Sequence, residues 1–392
     1  MKILIISPYY PPYASVAVVR MASLSRFLID KGCEVTVLRN NFDDLDQNLK
    51  TTSIPKGVKI KSVNIKKRSR YITGFIEGFK SYRKNIRELF CKNKYDVVII
   101  SAGPFFTLPL CKIIKKEYGV KCIIDFRDLW IAEEIYKGIN IKTLISKILF
   151  YPIERSAIKY ADAVVLVTKG WRNIMMKFYP KYRDKMELIY NGYDDELLND
   201  INIIQDDIQQ LLGVFGKMSY YSKEYAKILF SAVKKLKNKY KDLKIVQVGL
   251  YENETDAIIE GINFDPKDFN CTGFCDYVEG IQKMSTVSIC ILIDVRKSGL
   301  GTKIYDYIYL NKPIIYIGKK GTDLASFVES FEYGFICETE EEIIQTIDFI
   351  LSNKIKFLSN KNIKGKYVRS VQNTKYYNLI KKLTDNIIFY GD

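Results

Sequence analysis

Short apolar runs of strand length alternate with segments of helical period along the whole chain, and this restricts it to parallel sheets covered by helices. In the first half the expected strands are residues 2–6, 34–38, 59–63, 97–100, 122–125, 163–167 and 186–189. A helix over 17–31 lies between the first two and stops at Gly32, a residue that ends helices by accepting a left-handed backbone. The second half restarts the pattern, with strands expected at 212–215, 243–248, 269–272, 287–292 and 313–317. Its helices fit at 224–239, 277–284, 303–310, 323–329 and 340–352, and the stretch 373–388 again has helical apolar spacing. Residues 194–210, rich in Asp, Asn and Gln, are the best linker. The fold class is α/β, with two doubly wound domains expected to face a central cleft. The expected bounds are 1–205, 206–372 and a terminal segment 373–392. Ligands of such folds lie outside the carboxyl ends of strands, so each loop that follows a strand is a candidate site.

The chain has 392 residues and a net charge of +16. This favours anionic partners such as phosphorylated small molecules, a membrane surface or nucleic acid. It contains no histidine, which excludes imidazole bases, His-based triads and His-containing metal sites. The eight cysteines are scattered without a CxxC pair, as in a reduced, cytoplasmic protein. The apolar start Met1–Ile6 ends at Ser7-Pro8 and reads as a buried strand, not a signal peptide. No apolar run reaches the roughly 18 residues of a membrane-spanning helix.

Gly299, Leu300 and Gly301 run straight into KIYDYIYLNKP, Lys303 to Pro313. Free amides at a helix start attract anions. Asp306, one turn further in, suits two neighbouring hydroxyls, as on a ribose. Together they describe a pocket for a nucleoside diphosphate; an ordinary loop-to-helix junction is the alternative. Gly213-Val-Phe-Gly216-Lys217, with Lys223 beyond, follows the first strand of the second domain. Two lysines beside a glycine turn can face a diphosphate, or be plain surface.

In the first domain, Ser7 to Ser15 is a proline-stiffened loop. Its small residues Ala14 and Ser15, beside Tyr13, would let a substrate approach the start of the helix that carries Arg20. CIIDFRDLW, residues 122–130, ends an apolar strand in Asp125, Arg127 and Asp128. Arg holds phosphate or carboxylate in fork geometry; an internal Asp–Arg pair shaping the loop is the alternative. ADAVVLVT, residues 161–168, is followed by IYNGYD, where Asn191-Gly192 marks a turn out of the domain.

Between Lys56 and Lys94 thirteen Lys or Arg residues face only Glu77 and Glu88. Helical spacing puts Ile72, Phe75, Ile76 and Phe79 on one face, with cations flanking it. Such a face suits an anionic membrane surface or, alternatively, the domain core with a solvated basic side. No nucleic-acid-binding pattern is present, so nucleic acid is not an expected partner.

The motifs MKILIISPYYPP, KGCEVTVL, SAGPFF, DFRDLW, ADAVVLVT, IYNGYD and TKIYDYIYLNKPII, in this order, resemble the GT-B glycosyltransferases of retaining family 4, which build bacterial surface polysaccharides. The resemblance spans nearly the whole chain. It implies two Rossmann-like domains, with a C-terminal helix crossing back to the first. It implies that the second domain binds a nucleotide-sugar through Gly216, Ser298, Gly299, Leu300, Gly301, Thr302, Lys303 and Asp306. Asp306 stands where the family has the second Glu of its Glu–seven residues–Glu motif, and Ser298 where it has the first. Lys217 and Lys223 match the basic pair on the diphosphate, with Lys217 in place of an Arg. Ala14-Ser15 stands where a Gly-Gly pair is common, and DFRDLW where many members carry a loop histidine.

The resemblance implies retaining transfer of a hexosyl or N-acetylhexosaminyl group from a nucleoside diphosphate (EC 2.4). The leaving diphosphate oxygen would help to deprotonate the acceptor, so no protein base is needed. Lys217, Lys223, Arg127 and Asp128 are then the expected catalytic residues, and Tyr13, Ala14, Ser15, Arg20 and Asp125 the acceptor side. No metal or other cofactor is expected; Asp43-Asp44-Leu45-Asp46 reads as a solvated connection. The expected acceptor is a lipid-linked glycan, reached from the cytoplasm by peripheral contact of the 56–94 segment with the inner membrane face. Two alternatives remain: a non-catalytic nucleotide-sugar-binding protein, suggested by Ser298, and a nucleotide-sugar epimerase.

Overall fold

The computed structural model describes residues 1–13, 16–41, 53–65, 72–132, 141–199, 201, 210–356 and 365–385. They form two compact units, Met1–Asn191 with Ser370–Asp392, and Gly192–Arg369. The division falls at Asn191-Gly192, where 205/206 was expected. The reason is local. The polar stretch opens with a short helix, Asp195–Leu198, whose Leu198 is fully buried. The Leu198 carbonyl accepts a hydrogen bond from Tyr309 Oη at 2.7 Å, which ties the stretch to the second unit. The remainder of the expected linker, 202–209, lies outside the described residues.

The first unit is a seven-stranded parallel sheet: β1 (Lys2–Ile6), β2 (Glu34–Asn40), β3 (Lys59–Val63), β4 (Val97–Ala102), β5 (Lys121–Phe126), β6 (Ala163–Leu166) and β7 (Met186–Leu188), in the order β3-β2-β1-β4-β5-β6-β7. Alternate side chains of each strand enter opposite layers. Ile3 and Ile5 join Val97, Ile99 and Ile123 on one face. Leu4 and Ile6 join Val98, Ile100 and Ile124 on the other. Both faces are apolar because helices cover both, so these strands read as continuous apolar runs. The first face packs on α1 (Val16–Asp30) and on the last helix of the chain, Arg369–Thr384, through Tyr376, Leu379 and Ile380. The second packs on α2 (Ile72–Lys92), α3 (Leu108–Tyr118), α4 (Ile141–Tyr160) and α5 (Lys169–Phe178).

The second unit is a six-stranded parallel sheet: β8 (Leu211–Phe215), β9 (Lys244–Val248), β10 (Phe269–Cys271), β11 (Ile289–Ile293), β12 (Ile314–Ile317) and β13 (Gly334–Cys337), in the order β10-β9-β8-β11-β12-β13. After the short helix Asp195–Leu198, which is α6, come α7 (Lys223–Leu236), α8 (Glu254–Gly261), α9 (Tyr277–Met284), α10 (Lys303–Leu310), α11 (Asp323–Glu329) and α12 (Glu340–Ser352); the last helix is α13. Strand β13 was not expected from the sequence. It has four residues, begins with a glycine, lies at the sheet edge and is mostly half-buried, so no apolar run announces it. The strand order reverses between β8 and β11, and the loops that leave these two strands therefore flank an open crevice.

Candidate functional site

The loop after β8 turns at Gly216, whose φ of +74° is left-handed and whose N–H donates to Val248 O at 2.7 Å. Gly249, at φ +153°, presses against it; a Cβ there would lie 2.8 Å from Gly216 Cα. The buried carboxylate of Glu252 accepts the N–H groups of Met218 (2.6 Å), Ser219 (3.2 Å) and Tyr220 (2.7 Å), together with Gln247 Nε2 at 3.0 Å. The loop is thus fixed from within. Its 218–220 amides are spent on Glu252 and are not available to an anion at this turn.

The cations are close by. Lys303, at the start of α10, donates from Nζ to Lys217 O at 2.9 Å and lies 4.9 Å over the Tyr221 ring. A Cβ on Gly216 would lie 3.3 Å from that Nζ. Burial lowers the Lys303 ammonium to about 8, helped by Arg296 and opposed by Glu252, Asp294 and Asp306. Lys217 is exposed, with Nζ 4.2 Å over the Tyr220 ring. Arg296, in the loop after β11, holds the buried Asp294 through Nε, 3.0 Å from both carboxylate oxygens. Its Nη2 would be 3.2 Å from a Cβ on Gly301. Lys223 stands apart: its side chain is 70% exposed and faces Glu254 at 4.0 Å.

Between Arg296 and α10, Ser298 is 3% exposed, and its Oγ has no hydrogen-bond partner among the described residues. The Gly299 N–H, expected to face phosphate, donates to Asp323 Oδ2 at 3.0 Å. Leu300 is buried. Thr302, at the start of α10, makes no side-chain cap hydrogen bond. One turn on, Asp306 is 7% exposed and accepts Tyr277 Oη at 2.6 Å through Oδ1. Burial pushes the Asp306 carboxyl up to about 7, against the pull of Tyr277, Arg369 and Lys303. Tyr277 is itself pushed well above its ordinary value, by burial and by Asp306.

In the first unit Arg20 and Asp125 form a buried ion pair. Arg20 Nη2 is 2.9 Å and Nε 3.1 Å from Asp125 Oδ2. The same guanidinium donates to Tyr190 O at 2.7 Å and Ile189 O at 3.1 Å. Tyr376 of α13 lies over it, with its ring centroid 6.0 Å from Arg20 Cζ. Arg20 and Asp125 are engaged with each other, and Arg20 also with the backbone, a partnership between distant residues that the sequence reading did not include. Arg127 donates to Gly103 O at 3.2 Å. Burial lowers its guanidinium, while Asp125 and Asp128 raise it. Asp128 is exposed. Tyr13 stacks on Tyr9 at 5.4 Å, and Tyr9 is among the groups whose charge acts on Arg127. Ala14 and Ser15 lie outside the described residues.

Residues 17–197 match the model of Glycosyltransferase Family 4. No curated protein sequence matches the chain. Among solved structures it is similar to sucrose-phosphate synthase (tll1590) from Thermosynechococcus elongatus, at TM-score 0.72 and 11% identity over 98% of this chain and 100% of that one. It is similar to Anabaena Alr3699/HepE, solved in complex with UDP and glucose, at TM-score 0.65 and 14% identity over 97% and 99% of the two chains. It is also similar to UDP-GlcNAc 2-epimerase from Methanocaldococcus jannaschii, at TM-score 0.63 and 13% identity over 97% and 99%. The chain has the GT-B fold.

In this GT-B chain the structure brings Gly216, Lys217, Lys303 and the turn at Gly301 together at the β8–β11 crevice, and leaves Lys223 at the surface facing Glu254. Sequence reasoning missed Glu252, Tyr277, Asp294 and Arg296. Asp294 and Arg296 directly follow the apolar run of β11, so the strand-end rule covers them. No local signal marks Glu252 or Tyr277.

Proposed function

We propose that this chain is a retaining glycosyltransferase that moves a hexosyl or N-acetylhexosaminyl group from a nucleoside diphosphate to a hydroxyl of a lipid-linked glycan, in the assembly of surface polysaccharide. The observation that carries this reading is the convergence of Lys217, Lys303 and Arg296 about the Gly216 turn, with Asp306 one helical turn from Lys303. Cations suit the diphosphate, and an ionised carboxylate suits the two ribose hydroxyls. The UDP in the HepE structure makes a uridine nucleotide the first ligand to test.

In the reaction the bond from the sugar C1 to the diphosphate oxygen breaks and a bond from C1 to the acceptor oxygen forms on the same face. The acceptor proton passes to the departing diphosphate. A chain without histidine can support this, because its task is to hold the developing negative charge. Incubation with UDP-sugars and a glycan acceptor, read by release of UDP and by the anomeric configuration of the product, tests it. Release of UDP without a glycosylated product, or an inverted product, would contradict it. The likeness to a UDP-GlcNAc 2-epimerase favours a second reading; a C2-epimerised sugar formed from donor alone would mark it.

We also propose peripheral contact with an anionic membrane. No described helix is long and apolar enough to cross a membrane. On α2, Ile72 and Ile76 are 53% and 46% exposed, beside a groove lined by Lys80, Arg83, Lys84 and Arg87. Phe75, expected on the same face, instead packs against Trp130 at 6.0 Å and Phe150 at 5.6 Å, and Phe79 against the core. Leu144, Ile148 and Leu149 on α4 add exposed apolar surface. Sedimentation with anionic vesicles should be lost in Ile76→Glu and at high salt. Salt-insensitive or absent binding of the wild type would contradict this part.

A further inference from the structure

We propose that Trp130 is a positioning residue of the transfer. It ties the loop that carries Arg127 and Asp128 to the inner sides of α2 and α4, so that membrane contact on the outer sides of those helices sets the loop. The proposal rests on the glycosyl-transfer and membrane-contact readings above and supplies a link between them, within the first unit.

Strand β5 runs directly into Arg127-Asp128-Leu129-Trp130. Arg127 and Asp128 thus stand at the carboxyl end of a strand, where ligands of such sheets are met. The loop is held from behind. Arg127 donates to Gly103 O at 3.2 Å, Leu129 is buried, and the Ile131 N–H donates to Glu154 Oε2 at 3.1 Å. Glu154, on α4, is fully buried and also accepts Tyr179 Oη at 2.6 Å. Trp130 itself meets three rings. Phe105, from the loop after β4, stacks on it at 4.8 Å with 5° between the planes. Phe150 of α4 lies at 5.0 Å and Phe75 of α2 at 6.0 Å, and these two meet each other at 5.6 Å. The residues beside the two gripping rings point outward. Ile72 and Ile76 flank Phe75 on α2, Ile148 and Leu149 directly precede Phe150 on α4, and all four are exposed. Each helix therefore carries, within one turn, an apolar ring on the loop and apolar side chains in solvent. Close-packed interiors transmit a displacement, and coupling runs through chains of packed side chains. A shift of α2 or α4 as their outer residues enter a lipid surface reaches Trp130, and through it Asp128 two residues before.

The chain has two tryptophans, so Trp171→Phe leaves Trp130 as the only indole. Trp171 Nε1 has no hydrogen-bond partner among the described residues, so this exchange loses no hydrogen bond. The full-length variant is mixed with vesicles of phosphatidylcholine, with or without phosphatidylglycerol. Sedimentation, indole emission and transfer from a UDP-sugar to a water-soluble glycan acceptor are followed together. With anionic vesicles the Trp130 emission should shift in step with sedimentation, and kcat should rise while the KM for the UDP-sugar stays the same. Trp130→Leu in the wild-type chain should bind vesicles equally well. Its kcat should be lower by about tenfold or more, since a misplacement of about 1 Å can cost a hundredfold, and should no longer respond to vesicles. Trp130→Phe should restore much of both. Vesicle binding with unchanged emission and unchanged kcat would overturn the proposal and leave the membrane contact standing. A Trp130→Leu chain whose kcat still rises with vesicles as in wild type would overturn it too, marking Trp130 as ordinary packing. Absence of vesicle binding overturns it together with the membrane contact but not the transfer reading; absence of transfer under every condition overturns it together with the transfer reading. Should Trp130→Leu not fold, Phe150→Leu, which keeps the Trp130 emission, takes its place with the same expected and contrary results.

Discussion

Tyr277 donates to Asp306 Oδ1 at 2.6 Å, and this bond determines what the carboxylate can offer a ligand. The phenol favours the ionised form, while burial opposes it. Removing the donor in Tyr277→Phe should raise the carboxyl further above about 7. At neutral pH the variant should bind nucleoside diphosphate about tenfold more weakly, the worth of one charged hydrogen bond, and recover part of the loss above pH 8. Titration calorimetry at two pH values checks this. Equal affinities at both would mean that Asp306 does not touch the nucleotide.

Asp306 also has a signature in stability. Its folded pKa, about 7, lies above the ordinary 3.8. A raised carboxyl favours the folded state below the unfolded pKa, and that contribution disappears as pH climbs through the folded value. Asp306→Asn removes the ionisation penalty and keeps an oxygen for Tyr277. The variant should match wild type near pH 4 and exceed it near pH 8 by an amount on the order of a few kcal/mol. Denaturant melts at the two pH values measure the difference, and an equal gap at both would contradict the assignment.

The Arg20–Asp125 pair is architectural. Asp125→Ala leaves the guanidinium buried with only the Ile189 and Tyr190 carbonyls, a loss that costs about 3–5 kcal/mol. Thermal melts should show a large fall in midpoint, with the nucleotide affinity of the folded variant unchanged. A variant of normal stability that has lost acceptor binding would instead make Asp125 part of the site.

Gly249 bears on the site through Gly216. Its φ of +153° and the 2.8 Å approach of a Cβ to Gly216 Cα leave no room for a side chain. Gly249→Ala should destabilise the second unit by about 1–3 kcal/mol and weaken diphosphate binding, because the turn that carries Lys217 must move. Normal binding in this variant would show that the Gly216 turn is not part of the phosphate site.

The sheets were legible because parallel strands buried on both faces leave unbroken apolar runs, as in Val97–Ala102 and Ile289–Ile293. The edge strand Gly334–Cys337 left none. Gly216, Lys217 and Asp306 were legible because each stands at or just beyond a strand end or a glycine turn. What the sequence hides is partnership over distance. Asp125 pairs with Arg20, 105 residues away. Glu252 holds a loop 34 residues upstream, and Tyr277 reaches Asp306 across 29 residues. Only the order of strands brings such groups together, and no local pattern records it. Lysine is also so frequent here that spacing alone did not separate Lys303, at the turn, from Lys223, at the surface.

The central claim is that the second unit binds a nucleoside diphosphate at the Gly216 turn. A thermal-shift screen of the full chain against UDP, GDP, dTDP, ADP and CMP, repeated with Asp306→Ala and Lys303→Met, tests it most directly. The account predicts a rise in midpoint with one diphosphate, weakened in both variants. No rise with any of the five, or a rise that both variants retain in full, would contradict it.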